Sequence, residues 1–185
     1  MSDYWVEFMS LDADENQASN LVDAQIDWLL AQEIIAPSAK PDRFYGTFRE
    51  GPRFTDAMDP EWIEPGAVAG GRYILFGVRI KKGWQMSHNI GGFEGPPCPR
   101  CGHQQFDGGA AGALILDWYE SRAEPTVTCP KCGHIDLIGN WPHENFGYCN
   151  YASLSFINSP TLSIEFSDEL LARLGNRPRA IDVRL

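Results

Sequence analysis

Four of the five cysteines in this chain fall in two near-copies of one hexapeptide. These are Cys98-Pro99-Arg100-Cys101-Gly102-His103 and Cys129-Pro130-Lys131-Cys132-Gly133-His134. A C-x-x-C turn brings two thiolates to one point, and two such turns supply the four donors of a tetrahedral structural zinc. The proline stiffens each turn. The glycine after the second cysteine can take positive φ, which aims backbone N–H groups at the sulfurs. The chemistry expected of Cys98, Cys101, Cys129 and Cys132 is one zinc ion held by thiolates, with no coordination position left open for catalysis. Disulfides between these cysteines would need an oxidising compartment, and nothing in the sequence indicates one.

The paired C-P-x-C-G knuckles resemble those of the zinc-ribbon group, over about residues 95–140. The resemblance implies a four-thiolate zinc site between two β-hairpins, and it fixes no activity. The knuckles are also similar to those of rubredoxin, which holds iron. Its other aromatic and glycine signatures do not align here, so zinc is the expected metal.

The remaining reactive residues form no catalytic set. His103 and His134 repeat after each Cys-Gly, but four thiolates leave them no place on the ion. Pro97-Cys98-Pro99-Arg100-Cys101 matches half of a zinc deaminase signature, yet His88 is followed by Asn89 and Ile90, not by the required glutamate. His143-Glu144 opens like H-E-x-x-H and continues Asn145-Phe146-Gly147. Cys149 is a lone thiol among aromatics and reads as a small core residue. Asp12, Asp14, Asn16 and Asp23 imitate a calcium loop. Gln17 stands where glycine is needed, and Asp23 replaces the bidentate glutamate, so a capped helix explains the acids better. Gly70-Gly71 and Gly91-Gly92 match no phosphate-binding fingerprint.

These residues need elements to position them. Tyr4 to Leu11 alternates as a strand, with Trp5, Val6, Phe8 and Leu11 as its apolar members. Asp14 with Gln17 predicts a helix N-terminus, and the helix should run to about Ile34 before Pro37. Ala18, Leu21, Val22, Gln25, Ile26, Trp28 and Leu29 share its inner side; Asn16, Asn20, Asp23 and Asp27 share the outer one. Leu30 and Ile34 continue the outer line, which reads either as the apolar end of a partner site or, preferred here, as burial of the last turn. Residues 36–71, rich in Pro, Gly and aromatics, read as packed loops with short strands. Arg72–Ile80 and Trp84–Ile90 read as a hairpin about Lys81-Lys82-Gly83. Between the knuckles, Gln104–Phe106, Leu114–Tyr119 and Thr126–Thr128 read as strands, as does Ile135–Ile138 after them. Phe146, Tyr148, Tyr151 and Phe156 read as core. Thr161–Phe166 reads as a strand, with Ser167-Asp168-Glu169 capping a helix that Gly175 ends. Ala180–Leu185 reads as a final strand.

The expected fold is α+β: a mixed or antiparallel sheet joining both chain ends, an N-terminal helix and a short C-terminal helix. Residues 1–94 and 141–185 would form the body, and 95–140 an inserted zinc ribbon. At 185 residues with 22 aromatics the chain can build a real core. It lacks a signal-peptide pattern and any membrane-length apolar run, so a cytoplasmic protein with reduced thiols is expected.

The net charge is −10, and residues 1–50 carry ten acidic and three basic side chains. Such a chain repels phosphate backbones and attracts basic partners. The ribbon has Arg100, Arg122 and Lys131 against Asp107, Asp117, Glu120 and Glu124, which disfavours direct nucleic-acid binding. In type, a compact acidic protein without evident catalytic machinery resembles the bacterial immunity proteins. The resemblance implies stoichiometric inhibition of a basic toxin or nuclease domain, with Asp12, Asp14, Glu15, Asp23 and Asp27 as the expected contact surface. The alternatives are a zinc-ribbon regulatory or nucleic-acid-associated protein and, third, an enzyme whose site is assembled from distant residues.

Overall fold

A computed structural model describes residues 4–42, 44, 46–63, 77–89, 94–141 and 146–184. The features at Pro65-Gly66, Gly70-Gly71, residues 72–76, Ile90-Gly91-Gly92 and His143-Glu144 lie outside these residues.

The fold is α+β. Strand β1 (Tyr4–Ser10) leads into helix α1 (Glu15–Ala31), followed by strands β2 (Ile35–Asp42), β3 (Gly46–Glu50) and β4 (Gly77–His88). Helix α2 (Gly108–Ser121) lies between the knuckles, and the small strands β5 (Thr126–Thr128) and β6 (Ile135–Leu137) flank the second one. Strand β7 (Gly147–Ile157), helix α3 (Ile164–Ala172) and strand β8 (Pro178–Arg184) complete the chain. The main sheet is antiparallel, in the order β2-β3-β4-β7-β1-β8. β1 pairs with β8 from Tyr4↔Arg184 to Ser10↔Pro178, so one sheet does join both ends.

Alternation along the strands gives the sheet two buried faces. Phe8 of β1 and Ala152, Leu154 and Phe156 of β7 face α1 and α3, where Val22, Ile26, Leu29, Phe166 and Leu170 cover them. Trp5 and Met9 of β1 point the other way with Ile157, Ile181 and Val183. That second face is covered by Ala111, Ile115 and Trp118 of α2 and by Cys98, Val127, Cys129 and Ile138 of the ribbon. Residues 95–140 are therefore packed as the third layer of the molecule.

Helix α1 begins as its cap predicts. Asp14 accepts from the N–H groups of Asn16 and Gln17, both at 2.9 Å, and the Gln17 side chain accepts from Asp14 N–H at 3.2 Å. Asp14→Ala should lower stability by about 1 kcal/mol, read as a shift in urea midpoint at unchanged slope.

The structure corrects five expected elements. Helix α1 ends at Ala31, not Ile34, because Glu33 takes positive φ and Ile35 starts β2. Pro37 sits in that edge strand, where a missing N–H is tolerated. The expected hairpin around Lys81-Lys82-Gly83 is a single strand, β4, with an extra residue between Lys82 and Gln85. Gly83 takes φ +103° within that bulge, so its freedom bends a strand and does not reverse the chain.

Leu114–Tyr119 is helical, as part of α2, and the glycine-alanine run before it is the helix's first turn. Asp107 caps it by accepting from Ala110 N–H at 2.8 Å. Ala111, Ile115 and Trp118, spaced by four and three, are its buried residues. Gln104–Phe106 is not a strand, so the ribbon has one hairpin, not two. Finally, Thr161–Phe166 is not a strand. Ser163 caps α3 by accepting from Phe166 N–H at 3.1 Å, which places Ser167, Asp168 and Glu169 inside the helix. Gly175, with φ +106°, lies just beyond its end.

Candidate metal centre and the polar face of the sheet

The two knuckles fold alike. Cys98 N–H donates to His103 O at 3.0 Å and Gly102 N–H to Cys98 O at 2.8 Å. The matching bonds in the second copy are Cys129 to His134 at 2.8 Å and Gly133 to Cys129 at 2.9 Å. Gly102 and Gly133 take φ +68° and +69°, as the sequence predicts for both. The four sulfurs of Cys98, Cys101, Cys129 and Cys132 all lie within 4.8 Å of one another. Cys98–Cys132 and Cys101–Cys129 are each 3.7 Å apart. A tetrahedron with bonds of about 2.3 Å has edges of roughly 3.8 Å, so the cluster fits a metal ion such as zinc. Disulfide sulfurs would be far closer, near 2.05 Å.

The protonation pattern also suits a metal. Burial opposes ionisation of Cys129, yet the N–H groups of Cys132 and Lys131 and the neighbouring thiols bring it down to about 7. The N–H of His134 favours the Cys132 thiolate, but burial and the other three sulfurs push that group up to about 12. Four thiolates this close would repel one another, and a cation among them would relieve that repulsion. His103 and His134 are not among the clustered ligands. The His134 ring packs 5.9 Å from that of Trp141, and its Nε2 lies 4.0 Å from Asp136.

A clamp that the sequence reading missed ties the ribbon to the body. Arg177 donates to both oxygens of Glu124, at 2.8 and 2.6 Å, and through Nε to Asn140 at 2.8 Å. Glu124 also accepts from Gly139 N–H, and Arg179 donates to Gly139 O.

The largest surprise is Glu7. It is 1% exposed and faces the ribbon side, between Trp5 and Met9. One carboxylate oxygen accepts from Ser87 Oγ at 2.6 Å, Ser153 Oγ at 2.7 Å and Lys81 Nζ at 3.2 Å. The other accepts from Lys81 Nζ and Trp5 Nε1, both at 3.3 Å. Around them Asn150 donates to Ser87, and Gln85 donates to Asn150 and Ser153. Burial alone would push the Glu7 carboxyl up. The Lys81 ammonium and the two hydroxyls outweigh it and hold the group below its ordinary value. An acid at an inward position of an alternating strand was the one signal that could have exposed this network.

Cys149 is buried, its Sγ 3.9 Å from Ile115 O, and burial followed by the Glu124 charge pushes its thiol up to about 12. It is an inert core thiol at neutral pH. The five acids expected at a partner surface are all exposed. They are not equivalent. Asp12 accepts from Asn176 N–H at 2.9 Å, Asp14 caps α1, and Asp23 pairs with Lys82 at 2.6 Å. Glu15 lies in the first turn of α1, and Asp27 makes no hydrogen bond or ion pair among the described residues.

Compared with protein-family profiles, curated proteins and solved structures, the chain matches none. Among the described residues no helix is long and apolar enough to cross a membrane.

Proposed function

We propose that this is a zinc-stabilised acidic protein whose work is to bind a basic protein, as a stoichiometric inhibitor of the immunity type acting on a toxin or nuclease domain. Zinc occupies the four-thiolate cluster and contributes folding energy. A four-thiolate centre suits a reducing compartment, so the proposed setting is the cytoplasm. The observation that carries this reading is the outer side of α1. It presents Asp23 and Asp27 to solvent, with Glu15 exposed in the first turn, on a chain of net charge −10, and among the described residues only Asp23 of these three is answered by a lysine. An uncompensated acidic face speeds encounter with a basic partner and fixes its orientation.

The test is affinity capture from the native cell followed by calorimetry of the isolated pair. The expected result is one basic protein bound 1:1, with affinity falling steeply as salt rises. Asp27→Lys combined with Glu15→Lys should weaken the complex ~10-fold or more, chiefly through slower association. Failure to capture any basic protein, or a complex indifferent both to salt and to these substitutions, overturns the reading.

A further inference from the structure

The ribbon-side face of the sheet holds a cation with no ion pair among the described residues. Arg79 on β4 stands opposite Ser155 on β7, and Ser155 stands opposite Glu7 on β1. These three residues therefore form one row across the sheet. The Arg79 guanidinium lies 4.9 Å from the centre of the Trp5 ring and 5.4 Å from that of Phe44. The two rings meet edge to face, at 90° with centroids 6.4 Å apart. Stacking of this kind fixes the guanidinium plane and leaves its N–H edges to bond.

No described residue satisfies those edges. The Arg79 side chain makes no hydrogen bond or ion pair with any described residue, and its Nε is buried without a partner among them. Ser155, fully buried beside it, has an Oγ that is likewise unpartnered. Buried donors left open cost roughly 1–3 kcal/mol each, so two in one row point to something that completes them. Glu7 does not complete them. Both of its oxygens are occupied by Lys81, Ser87, Ser153 and Trp5. Counting Arg79, Lys81 and Glu7, the patch carries one surplus positive charge on a chain that is otherwise strongly negative.

We propose that Arg79 is the anchor of a binding site for an organic carboxylate. A carboxylate matches the guanidinium fork with two parallel hydrogen bonds and carries the single charge that the patch lacks. A phosphate dianion exceeds that charge and meets repulsion from Glu7 across the row. Phe44, exposed at the rim, and Trp5 give the ligand's carbon body an apolar edge to rest on. The site lies on the face of the sheet away from α1, so it stands or falls independently of the acidic partner surface.

The test is a titration of the metal-loaded full chain, followed through the arginine Nε–H resonances in 15N-labelled protein, with Arg79→Gln assigning the signal. Sodium phenylacetate should shift the Arg79 resonance saturably, with a Kd of ~1 mM or below. Acetate should act at the same resonance more weakly, and inorganic phosphate at equal ionic strength more weakly again. Calorimetry should show phenylacetate binding reduced at least tenfold in R79Q. No saturable shift with any of the three anions overturns the proposal, since an internal water then completes the donors. So does a phosphate response equal to or above that of phenylacetate, or undiminished binding in R79Q. If R79Q does not fold, Arg79→Lys replaces it in the calorimetry, and the wild-type titration still decides.

Discussion

Cys129→Ala is expected to abolish metal binding and to take the ribbon layer with it. Elemental analysis of the purified wild type should find one ion per chain, and the variant should retain none. Structural zinc contributes about 10–16 kcal/mol of apparent binding energy in small zinc-folded peptides, against about 5–15 kcal/mol for the whole stability of an ordinary domain. The variant should therefore lose its cooperative thermal transition or melt far below the wild type, and a strong chelator should have the same effect. Acid should release the ion too. Burial and the neighbouring sulfurs push the metal-free Cys132 thiol up, so loading at neutral pH should expel protons, and affinity should fall as they return. A variant that kept both its full metal content and its melting temperature would remove the four-thiolate centre from the account.

The second large effect belongs to Lys81→Met. It leaves the Glu7 carboxylate, 1% exposed, with its hydroxyl donors but without its counter-charge. Breaking one side of a buried pair costs about 3–5 kcal/mol. Glu7→Gln should cost less, about 3 kcal/mol or under, because Lys81 is 31% exposed and can turn its ammonium to water. The two variants also separate by pH. Glu7 is held below its ordinary value of 4.5 in the folded protein. Its contribution is full above the unfolded value and is lost as pH falls through the folded one. In Lys81→Met burial is less opposed, so the folded value rises and the acid limb of the stability curve moves to higher pH. In Glu7→Gln that component of the acid limb disappears. Urea titrations across pH 3 to 7 (roughly the carboxylate range) read both outcomes. Unchanged curves would show that the network is not coupled to folding.

The four-cysteine cluster was legible because its pattern is local. Two four-residue turns contain all the information, and the folded knuckles have the same hydrogen bonds as each other. The start of α1 was legible for the same reason, since Asp14 and Gln17 cap each other three residues apart. What surrounds the knuckles was not local. Leu114–Tyr119 is apolar on too many sides to show its period, and only packing of Ala111, Ile115 and Trp118 onto the sheet makes it helical. Lys81-Lys82-Gly83 carries turn chemistry, and pairing with β7 on both sides of it keeps the strand going. Glu7 was invisible as a site because each of its donors is distant in sequence except Trp5. Lys81, Ser87 and Ser153 are brought to it by strand order alone.

The position of β1 has a consequence for how the molecule is made. It lies inside the sheet, and both of its neighbours, β7 and β8, come from the far end of the chain. On the ribosome β1 must wait, unpaired, until β7 and β8 have emerged. The cysteine knuckles are complete earlier and can take their ion while the sheet is still open. Formation of the central sheet is then a late, long-range closure, slow by contact order and prone to aggregation if it stalls. A metal layer loaded early would give the waiting strand a surface on which to close.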